Sequence, residues 1–205
     1  MINEKYWQEF YQVNYGFNHQ PTSFATWVAS YDAQYKGESA KPRFADLGAG
    51  NCRDSFFFHS AGYQVTAIDA AAPQKNDDVP FEYIQGDFLE QELNNFEVLY
   101  LRFVVHALPE ADFDLFLTKV SAQPKKLRIY IETRSTTGVT NNDKAETFFK
   151  SSIGTEHFHM LYSKACLDVK LRRYFNALHS EESNEFSVFQ EKGPYLIRYT
   201  LERWS

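Results

Sequence analysis

Cysteine is scarce in this chain of 205 residues: Cys52 and Cys166 are the two present. Two thiols cannot make a disulfide framework, and neither sits in a C-x-x-C or Cys/His spacing that would hold zinc, so reduced thiols and no metal site are expected. Glycine and proline are also few, at nine and seven, and they do not gather into a Gly/Ser or Pro-rich linker. With no repeat at a solenoid or propeller period either, one domain over residues 1–205 is predicted. Positive charge is short too, with 21 Lys and Arg against 27 Asp and Glu and a net charge of −6. No block of Lys or Arg occurs, which argues against duplex nucleic acid or an anionic membrane surface as the main partner. Long apolar runs are missing as well. Residues 11–31 carry no Asp, Glu, Lys or Arg, yet Asn, Gln, His and Pro break them up, so they cannot supply the ~20 apolar residues of a membrane span. The opening Met-Ile-Asn-Glu-Lys-Tyr-Trp lacks the apolar centre of a secretory signal, and a cytoplasmic location is the expectation. What is plentiful is aromatic side chains, 17% of residues, mostly Phe and Tyr. They suit a dense core or a ring-lined pocket, and composition does not choose between the two.

Hydrophobic periodicity predicts two aromatic helices first. Tyr6, Trp7, Phe10 and Tyr11 fall on near-helical spacing within 4–13, and Thr22 or Ser23 is placed to cap a helix carrying Phe24, Trp27, Val28 and Tyr31. Strand-like runs follow at 43–47, 64–68, 81–84, 96–101 and 127–131. Helical patterns at 53–61, closed by Gly62, and from Pro109 onward lie between them. Parallel strands need crossover connections, so this alternation predicts an α/β, Rossmann-like three-layer sandwich around a mostly parallel sheet. Past an irregular stretch at 136–155, a helix over about 163–178 is expected. Two strands at 185–191 and 195–204, joined by a tight turn at Lys192-Gly193-Pro194, would then give the sheet an antiparallel end.

In such sheets ligands bind beyond the carboxyl ends of the strands, and four of these ends carry polar or glycine residues. Asp46-Leu47-Gly48-Ala49-Gly50-Asn51 links a strand to a helix, where glycines let a ligand approach the backbone. Arg53 stands where a dinucleotide fingerprint needs its third small residue, so a group smaller than pyrophosphate is favoured and a nicotinamide oxidoreductase disfavoured. Asp69 follows Gly50 by 69 − 50 = 19 positions at a strand end, where a carboxylate can accept both hydroxyls of a ribose; the alternative is a plain strand-ending Asp. Asp87 and Phe88 at the next strand end could meet an adenine amine and ring, or form a turn without ligand. Arg102, His106, Glu132 and Arg134 are expected just past the fourth and fifth strands. Two guanidinium groups there suit an anionic or polyhydroxylated acceptor, and an internal ion pair with Glu132 is the alternative. His106 is a candidate general base for a hydroxyl or else a helix cap.

Three segments, F-A-D-L-G-A-G-N-C-R-D-S at 44–55, V-T-A-I-D at 65–69 and I-Q-G-D-F at 84–88, resemble motifs I, II and III of the class I S-adenosylmethionine-dependent methyltransferases. Y-L-R-F-V-V-H-A-L at 100–108, I-E-T-R-S at 131–135, P-Y-L-I-R at 194–198, Y-W-x-x-F-Y at 6–11 and P-T-S-F-A at 21–25 are similar to one bacterial subgroup. Its members stand beside, or are fused to, CDP-glycerol glycerophosphotransferases in surface-polysaccharide clusters. The resemblance implies a seven-stranded sheet and S-adenosylmethionine as cofactor. Asp46, Gly48, Gly50, Asn51, Arg53, Asp69, Asp87, Phe88 and Arg102 would hold that cofactor, with Gly48, Gly50 and Asn51 on its methionine part, Asp69 on its ribose and Asp87 with Phe88 on its adenine. It further implies O-methylation of a phosphorylated or polyhydroxylated surface-polysaccharide precursor, with polysaccharide-synthesis enzymes as partners. Methyl transfer needs alignment and exclusion of water more than metal chemistry. Residues 1–40 would therefore be a helical lid, 41–135 the cofactor-binding core, and 136–205 the acceptor-side segment with the strand pair. His106 is the candidate catalytic residue; Arg134, Glu132, His157 and Tyr11 are candidate acceptor-binding residues, with Tyr162 in reserve. A non-catalytic cofactor-binding partner of a polysaccharide synthase is the competing expectation. Two departures from the subgroup stand out: Cys52 replaces Gly, and His157-Phe158-His159-Met160 replaces a His-Tyr-Arg-Arg-like segment, with the loss of two guanidinium groups.

Overall fold

The structure, a computed structural model, describes residues 3–13, 20–33, 42–71, 79–150, 153–186 and 193–203. Helices α1 (Glu4–Val13) and α2 (Ser23–Ala33) precede strand β1 (Arg43–Leu47), helix α3 (Arg53–Ser60) and strands β2 (Gln64–Asp69), β3 (Glu82–Gln85) and β4 (Val98–Arg102). A 3-10 turn (Val105–Ala107), helix α4 (Glu110–Ser121) and strand β5 (Arg128–Arg134) come next. The chain then forms β6 (Lys144–Lys150), β7 (Glu156–Tyr162), α5 (Lys164–Leu171), β8 (Phe175–Ser183) and β9 (Leu196–Arg203). Seven strands make one sheet in the order β3-β2-β1-β4-β5-β9-β8, parallel except for β9, which runs antiparallel to both β5 and β8. No helix among the described residues is long and apolar enough to cross a membrane.

The continuous apolar runs of the central strands divide by parity, because successive side chains leave a strand on opposite faces. Leu99 and Leu101 of β4 and Ile129 and Ile131 of β5 join Phe113, Phe116 and Leu117 of α4 and Leu167 of α5 in one core. Val98, Tyr100 and Tyr130 face the other way, into a second core with Phe24 and Val28 of α2 and Phe58 of α3. Two buried layers on one sheet are the expected sandwich. The second core also holds Asp32, whose carboxylate accepts Tyr63 Oη at 2.8 Å, Tyr130 Oη at 3.0 Å and Arg128 Nη1 at 2.7 Å. Thr22 caps α2 through the Ala25 N–H at 3.1 Å, and Asp54 of α3 accepts the Thr22 N–H and hydroxyl in turn. Helix α2 is therefore a sandwich element, packed on the sheet with α3, whereas the residues of α1 line the cavity described below.

The C-terminal third differs most from expectation. The stretch expected to be irregular holds β6, and β7 follows it, an antiparallel hairpin docked by a Ser135–Tyr162 bridge and the Thr136 N–H to Tyr162 carbonyl bond at 3.1 Å. Helix α5 starts as expected, with Ser163 capping the Cys166 N–H at 3.1 Å. It ends at Leu171 rather than 178, because Phe175 onward pairs with β9. The antiparallel partner of β9 is thus β8 at 175–183 and not the run at 185–191, most of which lies outside the described residues. The connection 184–195 is longer than a tight turn, and Lys192 also lies outside the described residues. Strand β5 continues to Arg134, which places Glu132 and Arg134 within the strand rather than beyond it.

Candidate active site

A cavity of about 520 Å³ opens at the carboxyl ends of β1, β2, β4 and β5 and is covered by α1 and the β6–β7 hairpin. Its first end is built by the turn after β1. Gly48 (φ +71°) and Gly50 (φ +56°) hold left-handed backbone, and a Cβ on Gly48 would stand 2.5 Å from Val104 Cγ2. The Gly50 N–H donates to Asp69 Oδ2 at 2.7 Å and the Ala71 N–H to Oδ1 at 2.7 Å, so both oxygens are fixed and each keeps a lone pair. Burial pushes the Asp69 carboxyl up to about 6, against the pull of these two N–H groups. Asp46 donates nothing and accepts Ser55 Oγ at 2.6 Å; burial raises it to about 7. Asp46, Gly48, Asn51, Arg53, Asp54, Asp69 and Phe88 all line this end. Cys52 takes a left-handed conformation (φ +59°) that glycine would hold more freely, and burial raises its thiol well above the ordinary range.

Arg102, the last residue of β4, also lines the cavity, its guanidinium 4.2 Å over the Phe103 ring. Phe103 itself has φ +61°, an uncommon conformation for a ring-bearing residue. From α1, Tyr6, Trp7, Phe10 and Tyr11 line the cavity, so the aromatic helix is pocket-forming rather than wholly core. Tyr11 reaches the glycine turn: its hydroxyl stands where a Gly50 Cβ would be. The opposite end holds Arg134, His106, His157, His159, Phe149 and Lys150. His157 stacks on Tyr6 with ring centroids 4.0 Å apart, and His159 lies 4.6 Å from His106 and 4.5 Å from His157.

Several expected site residues take other roles. Asp87 does not line the cavity; its Oδ1 accepts the Leu89 N–H at 2.9 Å, the turn-forming alternative. Gly50 serves the cavity through its bond to Asp69. Glu132 is 2% exposed and lies between Arg102 Nε at 3.2 Å and the Arg198 guanidinium at 2.7 Å, the internal ion pair rather than an acceptor contact. Tyr162 is buried in the α4 core. His106 Nδ1 accepts the Arg134 N–H at 3.3 Å and lies 3.1 Å from Thr133 Oγ1. With that nitrogen an acceptor, the neutral ring carries its proton on Nε2, and burial with His159 and Arg134 nearby holds its pKa well below the ordinary histidine range. A ring bonded in this way has no free lone pair, which removes the support for His106 as a general base. His159 was missed in the sequence because residues 156–162 did not declare a strand. Once they do, His157 and His159 share one face by their two-residue spacing. Among the described residues no group of three or more His, Cys, Asp or Glu is arranged to hold a metal ion.

Among solved structures, the chain is similar to the Burkholderia thailandensis 1,6-didemethyltoxoflavin-N1-methyltransferase, crystallised with S-adenosylhomocysteine. The TM-score is 0.67 at 15% identity, covering 89% of this chain and 79% of that one. The fold is that of the class I S-adenosylmethionine-dependent methyltransferases. A glycopeptide N-methyltransferase, MtfA, complexed with S-adenosylmethionine gives a TM-score of 0.60 at 16% identity over 87% of this chain and 94% of that one. An S-adenosylmethionine-dependent methyltransferase from Mesorhizobium loti gives 0.58 at 17% identity over 87% and 100%. No family model matches the sequence, and no curated protein matches it.

Proposed function

We propose that this protein is an S-adenosylmethionine-dependent methyltransferase acting on a small acceptor, by O-methylation of a phosphorylated or polyhydroxylated surface-polysaccharide precursor. The observation that carries the reading is that one cavity has two chemically different ends: the glycine turn with the inward-facing Asp69 at the first, Arg134 with three uncharged histidines at the other. The residues present fit the cofactor. Gly48 and Gly50 allow the left-handed turn that brings the loop backbone to the cavity and lets Val104 and Tyr11 pack against it, Asp69 offers a lone pair on each oxygen to the ribose hydroxyls, and Phe88, Asn51, Arg53 and Arg102 complete the cradle. When bound, the cofactor supplies an electrophilic methyl group on a sulfonium. The chain's own part is to bind, align and exclude water, with α1 covering the junction through Tyr6, Trp7, Phe10 and Tyr11. Arg134 holds the acceptor, and His106 positions it, its Nε2–H being the donor the ring has left. The polysaccharide pathway, and association with its enzymes, rest on the sequence resemblance alone.

Calorimetry with S-adenosylhomocysteine tests the cofactor assignment, with micromolar binding expected. Release of S-adenosylhomocysteine from S-adenosylmethionine in the presence of phosphorylated polyols and sugars tests the transfer. Binding without release from any acceptor would favour a cofactor-binding partner of another enzyme.

A further inference from the structure

The end of the cavity remote from Asp69 carries a second, unassigned constellation. Arg134 is half-buried with no carboxylate in ion-pair reach among the described residues; its Nε is buried without a hydrogen bond, and its guanidinium lies 5.5 Å from the Phe149 ring. His159 is 2% exposed, and its Nδ1 has no hydrogen-bond partner among the described residues. Unpaired polar atoms at such burial are rare, and a half-buried cation without a counter-ion is costly; Arg134 lacks an acceptor that carries negative charge, and such an acceptor would also partner His159 Nδ1 once that nitrogen bears a proton. The surrounding groups repeat the pattern. His106 faces this end from the 3-10 turn, Lys150 from β6, His157 from β7 and the Tyr6 phenol from α1, and none is a carboxylate; Arg102, nearby on β4, is already paired with Glu132. Burial and the nearby Arg134 keep His159 neutral, at about 3. An anion placed between them would reverse that second influence and favour the imidazolium.

We infer that this end is a proton-coupled oxyanion subsite, which receives a carboxylate, phosphate or sulfate group of the acceptor on Arg134 and His159 and takes a proton from solvent onto His159 as the anion enters. The inference deepens the methyl-transfer reading and rests on it for the anion's belonging to the acceptor.

Sulfate is the probe, since it stays a dianion across the useful range and any proton taken up belongs to the protein. Calorimetry in two buffers of different ionisation enthalpy, at about pH 6 and about pH 8, reads uptake and affinity together. Expected is proton uptake with sulfate that is larger at about pH 6 than at about pH 8, and affinity that falls as pH rises. Arg134→Gln should abolish sulfate binding, and His159→Phe should abolish the proton uptake; His159→Gln, which keeps a polar side chain, serves if the Phe variant does not fold. Nitrogen NMR of the imidazoles should show His159 alone gaining its second proton. Acetate in place of sulfate separates the sources: tighter acetate binding assigns a carboxylate acceptor, tighter sulfate binding a tetrahedral phosphate or sulfate ester. Sulfate binding without proton uptake, or no binding of either anion at about pH 6, overturns the inference. S-adenosylhomocysteine is titrated on the same samples. Its binding without any anion binding removes the subsite and leaves the methyl-transfer reading; proton-coupled anion binding without it keeps the subsite and removes that reading.

Discussion

At Asp69 one carboxylate fixes the glycine loop and faces the cavity at once, so its two functions are separable by experiment. Asp69→Ala should weaken S-adenosylhomocysteine binding by more than tenfold, about 1.5–3 kcal/mol for a charged acceptor lost to two hydroxyls, as read by calorimetry. Unchanged affinity in a folded variant would remove the ribose assignment. The raised carboxyl adds a pH signature with a definite sign. With its pKa at about 6, Asp69 is largely protonated below that value and ionised above it. Hydroxyls donating to it favour the ionised form, so cofactor binding should release protons near pH 6, release almost none near pH 8, and weaken as pH falls below about 6. The opposite sign at His159, where an anion draws a proton in, keeps the two ends of the cavity distinguishable in one titration.

Helix α1 covers the cavity through rings but is anchored by an amide. Asn3, just before it, donates Nδ2–H to the Phe158 carbonyl at 2.9 Å and accepts the Phe158 N–H on Oδ1 at 3.0 Å. A third contact runs from Nδ2 to the Ala107 carbonyl at 3.4 Å. One side chain thus ties α1 to β7 and to the 3-10 turn, and at 5% exposed water cannot easily replace it. Asn3→Ala leaves buried backbone groups unpaired, and amide exchange over 4–13 should become at least tenfold faster, roughly 1–3 kcal/mol of docking lost. Exchange confined to its wild-type rate would mean that the Tyr6–His157 stack holds the helix by itself. The β6–β7 hairpin that completes this cover was illegible locally. Residues 144–150 alternate exposed with half-buried, and 156–162 mix Glu156 and two histidines with apolar residues, all buried from His157 on. Their pairing partner is each other, on top of the sheet, and no local propensity announces that.

Across the whole molecule, register decides where charge goes. Arg102 of β4, Glu132 of β5 and Arg198 of β9 are direct neighbours across three strands, so their side chains form one row under α2. Arg198 reaches on to Ser23 Oγ at 2.9 Å, joining the row to the start of α2. Removing the middle charge from such a row leaves buried cations unpaired. Glu132→Ala should lower the unfolding free energy by about 3–5 kcal/mol in chemical denaturation. A loss under about 1 kcal/mol would show that the arginines are satisfied elsewhere.

The alternation of strands and helices, the turn after β1 and the 19-residue step from Gly50 to Asp69 were all written in the sequence, because each depends on chain neighbours: side-chain period, left-handed glycine and strand length. The cap at Thr22 and the aromatic stripe of α1 belong to the same class. What only the tertiary structure decided is which polar side chains meet. Glu132 and Arg134 are two residues apart on one strand, yet the first is taken by Arg102 and Arg198 and the second is left to the cavity. Asp87 turns to its own backbone while Asp69 faces inward, and His159 comes within 4.6 Å of the His106 ring only because the β6–β7 hairpin folds back over the sheet. Such meetings depend on cross-strand register and on loops closing over the sheet, where the partners are distant in sequence and the interaction exists only once the fold has formed.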